Sequence, residues 1–426
     1  MLQLDLLSFS VSGKLLYAAV RSPGCRFCPG YRLHPARQVP YLCAMKVMKF
    51  GGAVLRGPEG FRQMSDILQR HADERILVVV SAFSTATRDL EYTARLAVKG
   101  QLDDARERLD HVVNDHRTLM KGLIPSPSVR EALDVLLEGC RTELTNTLTG
   151  VSITRQLTPR TLDGILSYGE YMALHIARHV LGSRGIDVAG VDARDVIETD
   201  GQHGAARPLV DKTRVRVRQT LWPVLDAHRV VLIQGYVGRA EHGATTTMGK
   251  ESSNLTASLL GSLLDAEEIV IWTDVAGIRS GDPQICEGTA SRPRLSYVQA
   301  RIAAEEGVKL LYPTMIDPAE QAGIPIRIAG AAEPDGDQTI IAAEASSCDP
   351  IVVLRDDMDP ADNHVTVSVV FAPAAAWLEA AGTTIRELGV TEAFGLVLQP
   401  GDHTARLMLP RTHAARAAAQ LHARLV

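Results

Sequence analysis

From residue 45 onward, short β-branched runs alternate with longer stretches whose apolar residues recur at helical spacing. "VMKFGGAVL" (47–55), "RILVVVSAF" (75–83), "HRVVLIQGYVG" (228–238) and "AEEIVIWTDVAGI" (266–278) each read as a buried strand. Strands alternating with helices predict an α/β fold whose central sheet is mostly parallel and covered by helices. The strands run out into small, hydroxyl or acidic residues: Gly51 and Gly52, then Ser81 and Thr87, then the glycine that ends the third run, then Thr273, Asp274 and Gly277. In open α/β sheets ligands gather at the carboxyl ends of strands, so these ends predict one shared site.

Three further stretches differ in texture. Residues 98–150 place Arg, Glu, Asp and Leu at helix spacing and read as an insertion or lid with a solvated charged face, to which no chemistry is assigned. After the small-residue linker "AAEASSCDP" come "HVTVSVVFA", a helix through "AAAWLEAAGTTIREL", "FGLVLQPG", "ARLMLP" and a last helix "THAARAAAQLHARL". That order of strand, helix, two strands and helix predicts a small separate α/β domain, with boundaries at 45–341 and 342–426. Residues 1–44, with "RSPGCRFCPGYRLHPARQVPYLCA", lack periodicity and are dense in Pro, Arg and Cys. They lack the charged start and clean apolar run of a secretory signal, so Met45 is expected to be the natural start and the upstream piece a disordered or mis-annotated extension.

Composition narrows the class. A chain of 426 residues allows two or three domains, and 46% hydrophobic residues, 22% charged residues and a net charge of -5 describe an ordinary soluble protein, with no surplus of positive charge for nucleic acid. No run is long and apolar enough to span a bilayer. The six cysteines (Cys25, Cys28, Cys43, Cys140, Cys286 and Cys348) include one close pair, weak grounds for a metal site, and their scatter suits a reducing cytoplasm.

The chemistry starts at Lys49. A glycine pair lets backbone approach an anion, and a lysine beside it supplies a point charge, which reads as a seat for phosphate. Taken alone, Gly-Gly after a strand is more often a turn and a single lysine a solvated charge, and the full dinucleotide and Walker patterns are both absent.

Six blocks in order decide between these: "MKFGGAVL", "VVVSAFSTATRDL", "SYGEYMALHIARHVLGSRGIDVAGVDARD", "VVLIQGYVGRAEHGATTTMGK", "IVIWTDVAGIRSGDPQ" and "GVKLLYPTMIDPAEQAGIPIRI". In order and spacing they resemble the aspartokinases of the amino-acid kinase family, over roughly residues 45–341, and the last domain resembles one ACT unit, a ligand-sensing module. The resemblance implies a three-layer sandwich and phosphoryl transfer from ATP, with Mg2+, to a side-chain carboxylate, giving an acyl phosphate and ADP. It implies that Lys49, Gly51 and Gly52 cradle the transferring phosphoryl group with Ser81 on the same side. Thr273, Asp274, Gly277 and Ile278 would form the nucleotide turn, and Lys309 and Leu310 a second ATP-contacting segment, so that two lysines flank the transferred charge. On the acceptor side it implies Thr87 and Glu170 for aspartate, with Glu170 taking the ammonium, Tyr236 as an aromatic wall and Ser253 beside the carboxylates.

Departures from the family pattern cluster in the acceptor loop. Ala53 and Val54 stand where two hydroxyl residues are usual. In "MGKESSNLTA" Lys250 replaces an arginine that grips carboxylate, Glu251 and Ser252 replace two glycines, and Asn254 replaces a catalytic aspartate. An ammonium cannot make the planar clamp of a guanidinium, so carboxylate recognition is expected to change. Glu251 either turns to solvent or meets an acceptor of different charge, an aspartate relative with an added amine. At the nucleotide turn Arg279 and Gln284 replace a frequent tyrosine and arginine, and Tyr312 a frequent histidine. One ACT unit in place of two makes feedback by lysine or threonine doubtful and a homodimer the expected assembly. The expected activity is a carboxylate kinase for aspartate or a close relative in a specialised pathway. The alternatives are a silent homologue that binds nucleotide or amino acid and regulates a partner, or a kinase for another carboxylic acid.

Overall fold

A computed structural model describes residues 8–11, 14–17, 45–344, 349–355, 363–390, 395–399 and 404–426. The chain divides between residues 42 and 43. In the first unit β1 (Ser8–Val11) pairs antiparallel with β2 (Lys14–Tyr17). The expectation of a disordered extension falls otherwise on residues outside those described, as do the pair Cys25 and Cys28, Cys43 and Cys348.

The second unit opens with β3 (Met45–Phe50), α1 (Pro58–Arg70), β4 (Arg75–Val80) and α2 (Ala86–Val98). The insertion follows as two long helices, α3 (Leu102–Leu123) and α4 (Pro127–Thr154), before α5 (Pro159–Ser183) and β5 (Val188–Val191). Next come β6 (Glu198–Thr199), α6 (Val210–Arg216), α7 (Trp222–Ala227), β7 (Val230–Gln234), β8 (Val237–Ala240), β9 (Thr245–Thr247), α8 (Ser252–Leu264) and β10 (Glu268–Thr273). The order closes with β11 (Arg294–Ser296), α9 (Tyr297–Glu305), α10 (Pro313–Ala322), β12 (Ile326–Gly330) and β13 (Gln338–Ala342).

Among the described residues one eight-stranded sheet runs β11-β13-β12-β10-β3-β4-β7-β5. The six strands from β12 to β5 are mutually parallel, and β13 joins β12 antiparallel. Their side chains alternate strictly between two cores, as a period of two demands. Met48, Phe50, Ile76, Val78, Val80, Val270 and Trp272 pack with Phe61 of α1, Leu90 of α2, Leu109 of α3, Leu137 of α4 and Met172 of α5. Val47, Leu77, Val79, Val231, Ile233, Ile269 and Ile271 pack on the other side with Leu225 of α7, Leu260 of α8, Ala300 of α9 and Met315 of α10. Helix, sheet and helix thus form the three layers anticipated from sequence.

The C-terminal region adds β14 (Ile351–Arg355), β15 (His364–Val370), α11 (Ala374–Leu388), β16 (Gly395–Gln399), β17 (Thr404–Pro410) and α12 (Arg411–Leu425). From β15 on, the order is the expected one. The run "IVVLR", which the sequence reading passed over, is an additional strand, and it completes an antiparallel sheet ordered β14-β15-β17-β16. Ile351 and Val353 of β14 also enter the core under α9 and α10 beside Tyr297 and Val308, so this strand belongs to both regions.

Candidate active site

The register of the sheet brings β10, β3, β4 and β7 side by side, and their carboxyl ends carry Thr273, Lys49 with Gly51, Ser81, and Gly235 with Tyr236. Lys49 shares the sheet face of Val47, the face α8 covers, and is only 7% exposed. A Cβ placed on Gly51 would lie 3.0 Å from its Nζ, which fixes the ammonium over the glycine turn. Burial pulls this lysine below its ordinary 10.5, opposed by the carboxylates of Glu251 and Glu170. Gly52 is required by close approach, because its Cβ would meet the Ala82 carbonyl oxygen at 2.7 Å. Val54 and Leu55 each donate a backbone N–H to the Gly51 carbonyl, at 3.0 and 3.1 Å, closing the turn despite the loss of loop hydroxyls.

Glu170 projects from α5, 4% exposed, and accepts the backbone N–H of Ala82. Its Oε2 has no hydrogen-bond partner among the described residues. Burial pushes the carboxyl up to about 8, against the pull of Ala82 and Lys49 and with a further push from Glu251. Such an acid awaits a cation or a donor.

The loop "MGKE" leads into α8. Ser252, Ser253 and Asn254 form its buried first turn, at 3, 6 and 3% exposure, and Gly235 admits Ser253, whose Cβ lies 2.5 Å from where a Gly235 Cβ would stand. Asn254 Oδ1 is buried without a partner among the described residues. Lys250 and Glu251 are exposed, and Glu251 stands at the α8 N-cap at φ 61° without capping it through its side chain. Exposure does not take it out of the site, since its carboxylate acts on Lys49, Glu170 and Tyr312. Seven non-glycine residues have positive φ among those described, and four of them, Ser84, Tyr236, Glu251 and Leu310, border this site. Such outliers persist where surrounding structure imposes them, often at functional sites.

Sequence reasoning missed the network behind Tyr236. Asp163, 1% exposed and seven residues before Glu170 on α5, accepts from His203 Nδ1 at 2.7 Å, from Gly204 N at 3.1 Å and from the Thr247 hydroxyl. Thr247 bonds in turn to the Tyr236 phenol, which burial raises to about 12. The spacing of Asp163 and Glu170, two helical turns on one face, was the available signal.

At the end of β10, Thr273 Oγ1 donates to Asp274 at 3.2 Å, and Asp274 lies 3.7 Å from Arg56. Gly277 has φ 72°, and Ile278 N donates to Thr339 Oγ1 at 2.7 Å. Arg279 is occupied by Thr289 and Asp337, while Gln284 is exposed in the turn that Asp282 caps at 3.0 Å. Lys309 has an 80% exposed side chain bonded to Asp282 at 2.6 Å, so the two candidate lysines stand in opposite environments, one buried and one solvated. Leu310, half-buried at φ 75°, leads to Tyr312.

Thr87 sits in the first turn of α2, and here the insertion reaches the site. Most of its charges do form a solvated lattice, such as Arg117 with Asp134 and Glu138. Arg108 of α3, however, bonds Asp89 at 2.5 Å, and Asp89 holds the Thr85 hydroxyl at 2.6 Å. Phe83 stacks on buried His116 at 5.6 Å. The segment carrying Ser81 and Thr87 is therefore held between Gly52 and Glu170 on one side and α3 on the other.

Among the described residues no group of three or more His, Cys, Asp or Glu converges to hold a metal ion, and no helix is long and apolar enough to cross a membrane. Cys140 and Cys286 are free and buried.

The sequence model for the "Amino acid kinase family" matches residues 44–330. "Aspartokinase 1, chloroplastic" of Arabidopsis thaliana is 30% identical over 301 residues, covering 69% of this chain and 51% of that protein. "Lysine-sensitive aspartokinase 3" of Escherichia coli is 28% identical over 295 residues, covering 69% of this chain and 63% of that protein. The match thus spans between half and two-thirds of these relatives' length. The crystal structure of E. coli aspartokinase III with aspartate and ADP superposes with a TM-score of 0.74 at 21% identity, covering 89% of this chain and 99% of that one, which establishes a shared fold.

Proposed function

The chain belongs to the amino acid kinase family, and from that premise we propose that it transfers the γ-phosphoryl group of ATP to the side-chain carboxylate of aspartate or a close relative. A carboxylate oxygen attacks the γ-phosphorus, the bond to the β–γ bridging oxygen breaks, and ADP departs with the electron pair; the acceptor is already ionised, so no general base is needed. The burden falls on positioning and on positive charge around the phosphoryl oxygens. Lys49 supplies that charge in a dry setting where it counts most. The backbone N–H groups at the start of α8 add a second positive region. Glu170 takes the acceptor ammonium, and Thr87, Lys250 and Ser253 face its carboxylates. Magnesium would enter on the phosphate oxygens of the nucleotide and neutralise charge there.

The observation that carries this reading is the burial of Lys49 over the glycine turn with Glu170 in electrostatic contact. The test is ADP release from the full chain with ATP, magnesium and hydroxylamine. Trapped hydroxamate with an aspartate-class acceptor supports it, and ADP without hydroxamate sinks it. We further propose that residues 342–426 act as a sensing unit, that the protein is a cytoplasmic homodimer, and that its pathway is specialised.

A second reading, a silent homologue, is favoured by Asn254, buried with an unpartnered Oδ1, and by Lys309 lying on Asp282. If turnover is absent in the native chain and appears in Asn254→Asp, this second reading holds.

A further inference from the structure

Asp163 is an acid where folding alone calls for none. It is 1% exposed on α5, in the stretch that buries Ile165 and Leu166, and a carboxylate removed from water is unfavourable unless donors surround it. Three donors from two separate segments do so. Oδ2 meets His203 Nδ1 at 2.7 Å, the Gly204 N–H reaches both oxygens at 3.1 Å, and Oδ1 accepts the Thr247 hydroxyl. A carboxylate only accepts, so the single hydroxyl proton of Thr247 is committed to Asp163. Toward the Tyr236 phenol, to which it is also bonded, Thr247 can therefore only accept. The chain of bonds runs one way, from the Tyr236 hydroxyl through Thr247 to Asp163.

The segments held in this way border the acceptor side. Tyr236 follows Gly235, where a Cβ would meet Ser253 of α8 at 2.5 Å, and Gly235 N donates to the Val80 carbonyl at 2.8 Å, just before Ser81. Across β8 and β9, Val237 pairs with Thr247, which sets Tyr236 beside the end of β9. At φ 69° Tyr236 is in a disfavoured backbone conformation, and two contacts keep it there: its hydroxyl on Thr247, and Met248 N on its carbonyl at 2.9 Å. Thr247 leads through Met248 and Gly249 into the loop that opens α8. Its carbonyl accepts Ala206 N at 3.0 Å, and the Gly204 carbonyl oxygen lies 3.7 Å from where a Gly249 Cβ would stand. Glu170 lies two turns further along the same face of α5, next to Gly169, whose Cβ would lie 3.3 Å from that of Ala82. One carboxylate thus ties the tyrosine, the root of the loop and the helix of Glu170 to one another. Among the described residues none of these bonds reaches the turn at Gly277 or Lys309.

We propose that Asp163 is a positioning residue for the acceptor: through Thr247 it anchors the Tyr236 ring, and through His203 and Gly204 it anchors the root of the loop that leads into α8. Cutting this chain weakens the acceptor and spares the nucleotide. The inference rests on the carboxylate-kinase reading and assigns that site a supporting network.

The test uses the full chain with ATP, magnesium and aspartate. Hydroxamate formation reads turnover, and calorimetry with a non-hydrolysable ATP analogue reads aspartate binding separately. Thr247→Val keeps the shape of the side chain and removes the hydroxyl that links Tyr236 to Asp163. It should raise the aspartate KM about tenfold, as loss of a buried hydrogen bond implies, with the ATP KM within about twofold of native. Thr247→Ser keeps the hydroxyl and should bring the aspartate KM back to within about threefold of native. Tyr236→Phe should match Thr247→Val, and the double variant should be no worse than either alone, because both cut one chain. His203→Ala, at a side chain 19% exposed, cuts the second arm without opening the core and should raise the same KM about threefold. Equal shifts in both KM values, valine and serine variants that behave alike, or additive losses in the double variant overturn the proposal. Native turnover with every variant unchanged removes this inference alone. Hydroxamate from no acceptor, with aspartate affinity that falls in Thr247→Val and recovers in Thr247→Ser, keeps this inference and removes the carboxylate-kinase reading. Neither turnover nor aspartate binding in the native chain removes both.

Discussion

Glu170 carries a proton where an ordinary carboxyl has lost one. Its pKa rises from 4.5 to about 8 through burial. Between those values the folded chain holds a proton that the unfolded chain has released, so this group makes stability fall as pH rises through that window. If Glu170 takes the acceptor ammonium, as proposed, the ammonium binds the ionised form, and acceptor binding near pH 7 must expel the proton. Titration calorimetry at pH 7 in two buffers of different ionisation heat should report release approaching one proton, and Glu170→Gln should abolish it; uptake in the native chain would contradict the assignment. In kcat/KM for the acceptor, the same group gives an ascending limb that levels near pH 8. The descending limb belongs to Lys49, below the usual lysine range because burial lowers it. Gly52 tests the turn itself. Gly52→Ala drives a methyl into the Ala82 carbonyl oxygen, a backbone atom 2.7 Å away. The expected loss is about 1–3 kcal/mol by denaturation, with turnover down at least tenfold. Lys49, the glycines and Glu170 were legible because ordered motifs carry them. The proton on Glu170 was not, since it depends on which atoms surround its carboxyl.

The insertion shows how a helix pair acquires a role that its own pattern hides. Its charges look like a solvated face, and most are. Arg108 and Asp89 lie 19 residues apart, and only the packing of α2 against α3 joins them. Asp89 then fixes Thr85, and Thr87 lies two residues further on. Arg108→Met should leave Asp89, 10% exposed in its side chain, without its cation and lower stability by about 1–3 kcal/mol. It should also raise the acceptor KM about tenfold with the ATP KM little changed, and Arg108→Lys should recover part of the loss. Equal changes in both KM values would mean that α3 supports the fold without positioning the acceptor. The strands of the sheet, by contrast, could be read directly, since each is a run of buried apolar residues with a clear end. "IVVLR" escaped because a five-residue run beside a small-residue linker looks like part of it, and only its pairing with β15 identifies it.

The two regions of the second unit are joined by more than a linker. Ser280, fully buried behind the turn at Gly277, accepts Ala290 N at 2.8 Å and donates its hydroxyl to His422 Nε2 of α12 at 2.8 Å. Its carbonyl accepts Val352 N of β14, and Arg292 donates to the Pro350 carbonyl at 2.6 Å. Because Ile351, Val353 and Val370 share a core with α9 and α10, heating should unfold both regions in one cooperative transition. The ion pair of Arg406 with Glu306 measures the strength of this docking. Arg406 Nε reaches both carboxylate oxygens, at 3.2 and 3.0 Å, and Glu306 is 3% exposed in its side chain. Burial alone would raise Glu306, but the hydrogen bonds and charge of Arg406 outweigh it and hold the carboxyl below its ordinary 4.5. Its contribution is thus present above about pH 4.5 and disappears as pH falls through the folded value. Arg406→Met removes those bonds and strands a buried carboxylate, at a cost of about 1–3 kcal/mol near neutral pH. Differential scanning calorimetry at pH 7 and pH 4 should then show a lowered transition at pH 7 and a smaller gap from the native chain at pH 4, where the stranded carboxyl can take up a proton. A transition that splits in two at pH 7 would mean that this pair, more than the shared core, makes the two regions unfold together; an unchanged transition would mean that the core alone suffices.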